Sequence, residues 1–137
     1  MPARATPVYG IDTSVFVRLL TGHPQADFDA TVSAIQKLLE FNPGAELVVS
    51  NQVIGEAYIT LQFHYGISKS DAKQGIRALL SEGVISPLNG SSILEILKNN
   101  TGAGLVDRLI VQDYQQKGLI TLTNDKAMAK IPGAKAF

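Results

Sequence analysis

The sequence contains no cysteine among its 137 residues. This absence excludes both a disulfide scaffold and a thiolate metal site. No apolar run approaches the roughly 18 residues that a membrane-spanning helix needs. The N-terminal segment "MPARATPVYG" lacks the apolar stretch of a secretory signal. We therefore expect a cytoplasmic protein.

The sequence also lacks an excess of charge of either sign, because twelve basic residues balance twelve acidic ones. A net charge of zero does not by itself favour a nucleic-acid partner. If four of the acids gather in one site, however, only eight remain to face the twelve basic residues elsewhere. Such a mildly basic exterior permits a phosphate-rich ligand without requiring one.

The remaining composition is that of an ordinary globular protein, with 45% hydrophobic and 18% charged residues. We find no internal repeat, low-complexity tract or linker, so residues 1–137 are expected to form one domain.

Short apolar runs alternate with segments of helical periodicity along the chain. This alternation predicts an α/β fold with a mainly parallel sheet, in which ligands bind beyond the carboxyl ends of the strands. The run at 8–11 is expected to be a central strand, and Thr13 or Ser14 is expected to cap the helix that follows. Further strands are predicted at 47–49, 84–85 and 119–122. Further helices are predicted at 27–41, after Ser50 to Tyr65, after Ser68 or Ser70 to Leu80, after Ser91 or Ser92 to Leu97, and at 105–116.

Two acids follow predicted strands. Asp12 comes directly after "VYGI", and Asp125 comes two residues beyond "LITL". Each acid also has a purely structural interpretation, because an aspartate before a helix commonly accepts hydrogen bonds from the first free amides. Taken singly, neither acid distinguishes a helix cap from a functional carboxylate.

Two further acids lie on predicted helices. Glu56 falls opposite the main apolar stripe of its helix, yet Ile59 and Phe63 share its face and suggest that another part of the chain or a partner covers it. The alternative is a solvated surface glutamate. Asp107 falls in the first turn of its helix, where the helix dipole alone favours an acid. Asp113 is expected to be solvated, and His23 and His64 are expected at a turn or helix surface, without metal-ligand spacing.

The four acids together suggest a metal site. With no cysteine and no suitably placed histidine, the candidate ligands are all oxygens, which favour Mg²⁺ or Mn²⁺ over zinc. Such ions can activate a water molecule and stabilise the leaving oxygen of a phosphodiester. The pattern therefore suggests a nuclease that needs no protein nucleophile.

The ordered motifs "DTSVFVRLL", "GEAYITL", "VDRLIVQDYQQKGLITLTND" and "KIPG" resemble the PIN-domain family, and most of all its VapC-type toxins. The resemblance covers about residues 9 to 133. It implies a three-layer α/β/α fold and a Mg²⁺- or Mn²⁺-dependent endoribonuclease. It also implies that Asp12, Glu56, Asp107 and Asp125 are the catalytic metal ligands, and that Ser14 and Thr123 orient a carboxylate, water or phosphate.

The sequence departs from the family pattern at three places. Ser14 stands where asparagine is commoner, glycines precede Asp107 where many relatives have a bulky residue, and Gln112 and Asp113 stand where small residues are usual. None of these departures removes a carboxylate. They bear on substrate choice and metal stoichiometry more than on the class of reaction.

We consider two functions. In the first, the protein is an endoribonuclease and the toxin of a type II toxin–antitoxin pair, with Arg18, Arg108 and Lys126 holding the RNA backbone. The resemblance then implies a homodimer and an antitoxin partner. Apolar residues on two faces of one helix, Ile59 and Phe63 opposite Ile54, Tyr58 and Leu61, fit either a dimer interface or packing within the chain. In the second function, the same scaffold is a non-catalytic module that binds RNA or protein.

Overall fold

The computed structural model of the protein describes residues 6–137, so half of the N-terminal segment considered above lies outside it. Within that range the chain contains short strands that all pair in parallel, which confirms the predicted α/β class. The strands are β1 (Val8–Gly10), β2 (Glu46–Val49), β3 (Ile85–Pro87), β4 (Thr121–Thr123) and β5 (Ala134–Ala136).

Six α-helices and one turn of 3-10 helix separate these strands in the part of the chain that is described. The α-helices are α1 (Thr13–Thr21), α2 (Gln25–Phe41), α3 (Asn51–Phe63), α4 (Lys69–Ser81), α5 (Ile93–Lys98) and α6 (Leu105–Gln116), and the 3-10 turn is Met128–Lys130. No helix within residues 6–137 is long and apolar enough to cross a membrane.

The strands form two ladders. The first has the order β1-β2-β3, and the second consists of β4 and β5. The prediction that the first strand is central is wrong, because β2 occupies the middle of its ladder and β1 lies at the edge. Accordingly Leu47 and Val49 of β2 are buried, whereas Val8 of β1 is 57% exposed.

Two predicted boundaries shift for local reasons. The last long apolar run begins its strand at Thr121 and not at Leu119, because the amide of Leu119 still donates to the carbonyl of Tyr114 and closes α6. This closure is a Schellman motif, and Gly118 supplies the left-handed conformation at φ 73° that it requires. Helix α2 begins at Gln25 and not at Asp27, directly after Pro24.

Capping side chains fix three helix starts. The predicted cap at Thr13 or Ser14 is wrong, because the cap of α1 is Asp12, and both hydroxyl residues lie inside the first turn. Ser50 caps α3 as predicted, and Ser68, one of the two candidates, caps α4. Each of these caps accepts a hydrogen bond from a backbone amide three residues later.

The main core lies around β2, α1, α3 and α4. Its fully buried side chains include Phe16 of α1, Val49 of β2, Ile54 of α3 and Ile76 of α4. Helix α3 contacts α1, α4 and α6. The core therefore holds α1 and α3, the two helices that follow β1 and β2, against each other.

We expect Phe16→Ala to lower the free energy of unfolding by about 3–5 kcal/mol, because Phe16 is 0% exposed and its removal leaves a cavity in the main core. Urea denaturation followed by circular dichroism measures this change. Phe41→Ala is the matched control, since Phe41 is 83% exposed and its truncation leaves no cavity. Equal losses for the two variants would contradict the assigned core.

Candidate functional site

Asp12 lies at the turn between β1 and α1, and its carboxylate is exposed to solvent. Its Oδ1 accepts a hydrogen bond from the Ser14 hydroxyl at 2.7 Å and another from the Val15 amide at 3.1 Å. The bond from Ser14, and then the bond from Val15, lower the pKa of Asp12. The side chain is therefore an ionised carboxylate with one oxygen held in place.

Glu56 lies on α3 beside this turn. The Thr13 hydroxyl donates to Glu56 Oε2 at 2.5 Å, and the Gln52 amide donates to Oε1 at 3.5 Å. No other part of the described chain covers Glu56, because its side chain is exposed, so cover by a partner is the alternative that stays a prediction. The structure thus places Asp12 and Glu56 on either side of one threonine.

Thr13 is the residue whose role sequence reasoning missed, since it was considered only as a helix cap. Its backbone belongs to the turn that holds Asp12, while its hydroxyl crosses to a helix 43 residues later in the chain. A hydroxyl next to a candidate carboxylate was the available signal. The direction in which it points depends on how α1 packs against α3, which the sequence does not reveal.

A groove of about 320 Å³ runs between α3 and α6. Ile59, Val106 and Ile110 give it apolar walls, and Glu56 and Asp113 give it two carboxylates. Asp113 is exposed, as the sequence predicted, but it also has partners within the chain. Its Oδ1 accepts hydrogen bonds from the Asn51 amide at 2.9 Å and the Asn89 amide at 2.8 Å.

Asp107 lies half-buried in the first turn of α6, the helix that forms the second wall of this groove. It does not line the groove, and within residues 6–137 its carboxylate makes no side-chain hydrogen bond or ion pair. Its position remains compatible with both earlier interpretations, the dipole effect and the functional carboxylate.

Asp125 and Thr123 form a local turn after β4. The Asp125 amide donates to the Thr123 hydroxyl at 3.0 Å, and Asp125 Oδ1 accepts from the Met128 amide at 2.7 Å. This is the capping arrangement that the sequence left open for Asp125. Because β4 pairs with β5 and not with β1, the turn belongs to the second ladder.

The four acids fit a hard divalent ion in chemistry but not in arrangement. All are oxygen donors, and Asp12 is held ionised. Within residues 6–137, however, no three His, Asp or Glu side chains are grouped closely enough to hold a metal ion. The residues present therefore form no assembled metal centre, and no catalytic step is assigned to one.

The three predicted RNA-contacting cations differ in their surroundings. Arg18 pairs with Asp27 at 3.8 Å, and its Nε is buried with no hydrogen-bond partner in the described range. Arg108 donates to the carbonyls of Ala103 at 3.0 Å and Thr101 at 2.8 Å, so it braces the loop before α6. Lys126 is exposed next to Asp125.

A buried polar network beneath the groove was also missed by sequence reasoning. Asn51 is 3% exposed and donates to Gln112 Oε1 at 2.7 Å as well as to Asp113. Gln112 in turn donates to the Ser92 hydroxyl at 2.5 Å. The polar residues that depart from the family pattern on α6 therefore have partners, and they join α6 to α3 and to the start of α5.

We expect Ser14→Ala to raise the pKa of Asp12 toward its ordinary value, because the variant removes the largest of the effects that lower it. Because the pKa of Asp12 is lower in the folded state than in the unfolded state, its ionisation stabilises the fold at pH values above the unfolded-state pKa. This stabilisation is lost as the pH falls through the folded-state pKa. The variant should therefore be less stable than the wild type at neutral pH, with a difference that shrinks in acid.

Carboxyl carbon NMR titration measures the pKa of Asp12, and urea unfolding at several pH values measures the stability. Ser81→Ala is the control, since the Ser81 hydroxyl donates to the Arg77 carbonyl within α4 and does not contact Asp12. An unchanged pKa of Asp12 in Ser14→Ala would contradict the assignment.

Comparison with known proteins gives one finding on the family. A search of curated proteins found no match. The family model described as PIN domain matches residues 9–134. This match spans nearly the whole chain and contains every candidate site residue named above. The chain therefore belongs to the PIN domain family.

Proposed function

We propose that this protein is an endoribonuclease that depends on Mg²⁺ or Mn²⁺ and cleaves RNA phosphodiesters. The PIN domain is a nuclease-type fold whose members are generally metal-dependent ribonucleases. The observation that carries the proposal for this chain is a pair of hydrogen bonds from neighbouring residues, from Ser14 to Asp12 and from Thr13 to Glu56. It holds two carboxylates at the carboxyl edge of β1 and β2.

In this proposal, Asp12 and Glu56 would begin the metal site, and Asp107 and Asp125, which the structure does not group with them, would have to move toward them when the ion binds. The chemistry that Mg²⁺ or Mn²⁺ supplies when bound is activation of water and neutralisation of phosphate charge. Ser14 keeps Asp12 ionised and oriented, and Thr13 orients Glu56. Thr123 orients Asp125 by accepting the hydrogen bond from its amide.

The basic side chains hold the RNA backbone in this proposal. The Arg18 side chain is 36% exposed and its ion pair with Asp27 is long, so its guanidinium is available to a phosphate. Lys126 is exposed beside a proposed metal ligand. Arg108 is the weakest of the three candidates, because two of its donor groups already bind carbonyls of the loop before α6.

We propose that the protein is the toxin of a toxin–antitoxin pair, on the strength of the motifs that resemble VapC-type toxins. A small antitoxin would then place a segment across the groove between α3 and α6. Its apolar walls and two carboxylates suit a basic, amphipathic segment.

A cytoplasmic location stays a prediction.

We also propose a homodimer that forms through the exposed apolar face of α3. Ile54, Tyr58 and Leu61 are buried within the chain, so they are not available to a partner. Phe63 is 84% exposed at the end of α3 and does not line the groove, so a second copy would remove its apolar surface from water, whereas Ile59, 46% exposed, belongs to the groove wall.

We expect Asp12→Asn to lower metal-dependent RNA cleavage by at least about a hundredfold, because losing a carboxylate ligand removes several kcal/mol of transition-state stabilisation. Asparagine retains the Oδ1 acceptor that caps α1, so the fold is expected to persist. Cleavage of defined RNAs with Mg²⁺, Mn²⁺ or EDTA measures the effect, and circular dichroism checks the fold.

Asp71→Asn is the matched control, because it makes the same change at an exposed position in the first turn of α4. Undiminished cleavage by Asp12→Asn, or cleavage that persists in EDTA, would refute the proposed chemistry. Metal binding by calorimetry with no cleavage under either ion would favour the non-catalytic module instead.

We expect the wild-type protein to have the mass of a dimer in light scattering, and Phe63→Ser to shift it to the mass of a monomer. Phe41→Ser is the control, since Phe41 is equally exposed but lies at the end of α2. A wild-type protein that is monomeric at all concentrations tested would overturn the proposed dimer.

A further inference from the structure

A second cavity of about 320 Å³ lies between α1, the turn that joins α1 to α2, and the C-terminal end of α3. Helix α1 contributes Arg18, the turn contributes His23, and the end of α3 contributes Thr60, with Tyr65 just beyond it. Gly22 shapes the turn, because it closes α1 in the left-handed conformation at φ 68°.

Four polar groups of this cavity, on Arg18, His23, Thr60 and Tyr65, can each donate a hydrogen bond to a ligand. The Arg18 side chain lines the cavity and is 36% exposed, and the hydroxyls of Thr60 and Tyr65 make no side-chain hydrogen bond within residues 6–137. The ring of His23 offers at least one N–H in either protonation state. A ligand that carries only acceptors would satisfy all four groups.

The charge of the cavity points to the same kind of ligand. Arg18 is the permanently charged residue among those that line it in the described structure, and no carboxylate lines it. The carboxylate of Asp27 reaches Arg18 from outside the cavity, at 3.8 Å between Oδ2 and Nη2. The groove between α3 and α6, by contrast, carries the carboxylates of Glu56 and Asp113.

The cavity shares a wall with the candidate site. Thr13 and Ser14 line it, yet their hydroxyls donate to Glu56 and Asp12 respectively. These two protons are therefore committed to the carboxylates, and the free donors of the cavity begin one helical turn away, at Arg18. A negatively charged group in the cavity would lie beside the site without entering it.

We propose that this cavity binds a backbone phosphate of the RNA strand, next to the phosphodiester that is cleaved. The proposal rests on the proposed ribonuclease function and names a subsite for its substrate. Phosphate oxygens accept hydrogen bonds and never donate them in the ionised diester, and a guanidinium with neighbouring hydroxyls matches that requirement.

The test is RNA binding by the full chain in EDTA, which separates binding from metal-dependent cleavage. Fluorescence anisotropy with a short, labelled, single-stranded RNA is recorded over a range of salt concentrations. We expect Arg18→Gln to weaken binding roughly tenfold at low salt and to make the log–log salt slope shallower by about 0.7, the value for one lost phosphate contact.

Two variants remove a hydroxyl without changing the charge or size of the side chain greatly. Tyr65→Phe and Thr60→Val should each weaken binding by about threefold while the salt slope stays near that of the wild type. Lys37→Gln is the control for Arg18→Gln, because it makes the same charge change on the exposed surface of α2. It should bind RNA like the wild type.

A variant that is expected to tighten RNA binding strengthens the test. Asp27→Asn removes the carboxylate that competes for Arg18 and should tighten RNA binding more than Asp29→Asn does. Asp29→Asn makes the same charge change on the same helix. The Asp29 carboxylate, however, accepts from Gln25 and does not pair with Arg18.

Each outcome decides the proposal. If Arg18→Gln and Tyr65→Phe bind RNA as Lys37→Gln does, the subsite is refuted even when the protein cleaves RNA. If binding depends on Arg18 and Tyr65 but no cleavage occurs with Mg²⁺ or Mn²⁺, the subsite stands and the proposed ribonuclease fails. If the wild type does not bind RNA, the subsite is refuted.

Discussion

The parallel pairing of β1 with β2 is the constraint on which the candidate site depends. It aligns Gly10 with Val48, so both strands end at the same edge of the ladder and both following helices start there. Phe16 and Ile54, each 0% exposed, then lock α1 against α3 in the core. Only because these helices are packed in this way can a side chain from the first turn of α1 reach the second turn of α3.

The turn between β1 and α1 combines structural and chemical roles. Asp12 accepts from the free amide of Val15 in the first turn of α1, as a helix cap does, and this bond together with that from Ser14 lowers the pKa of its carboxyl. Capping and metal binding are therefore not alternatives at this position, since a carboxylate that caps through Oδ1 still presents Oδ2. The same holds at Asp125, where Oδ1 binds the Met128 amide.

Features that depend on local chemistry could be predicted from the sequence, and features that depend on pairing between distant segments could not. The α/β class, the positions of the helices and the caps at Ser50 and Ser68 follow from periodicity and from side-chain hydrogen bonding. The division of the strands into two ladders, the edge position of β1 and the existence of β5 depend on which segments meet in space. Each strand is only three or four residues long, so its own pattern carries little information on its neighbours.

The site likewise combines residues that local patterns predict with contacts between distant segments that they do not. Asp12, Ser14 and Glu56 were predicted as site residues, and the structure brings them together through Thr13, which was not. Asp113 is exposed as predicted, but the sequence did not predict that it lines the groove and accepts two amide hydrogen bonds. Its partners Asn51 and Asn89 lie on distant segments, and no spacing within α6 indicates them.

Residues 12 to 14 have different hydrogen-bond partners because each has a different position at the start of α1. Successive residues of a helix point about 100° apart, so Thr13 faces α3 while Ser14 turns back to Asp12. A change of residue type can keep these two hydrogen bonds as long as a donor remains at each position. An insertion or deletion of one residue within this segment cannot keep these hydrogen bonds, because it would turn each donor away from its carboxylate. The segment should therefore tolerate varied composition over evolution but a single spacing.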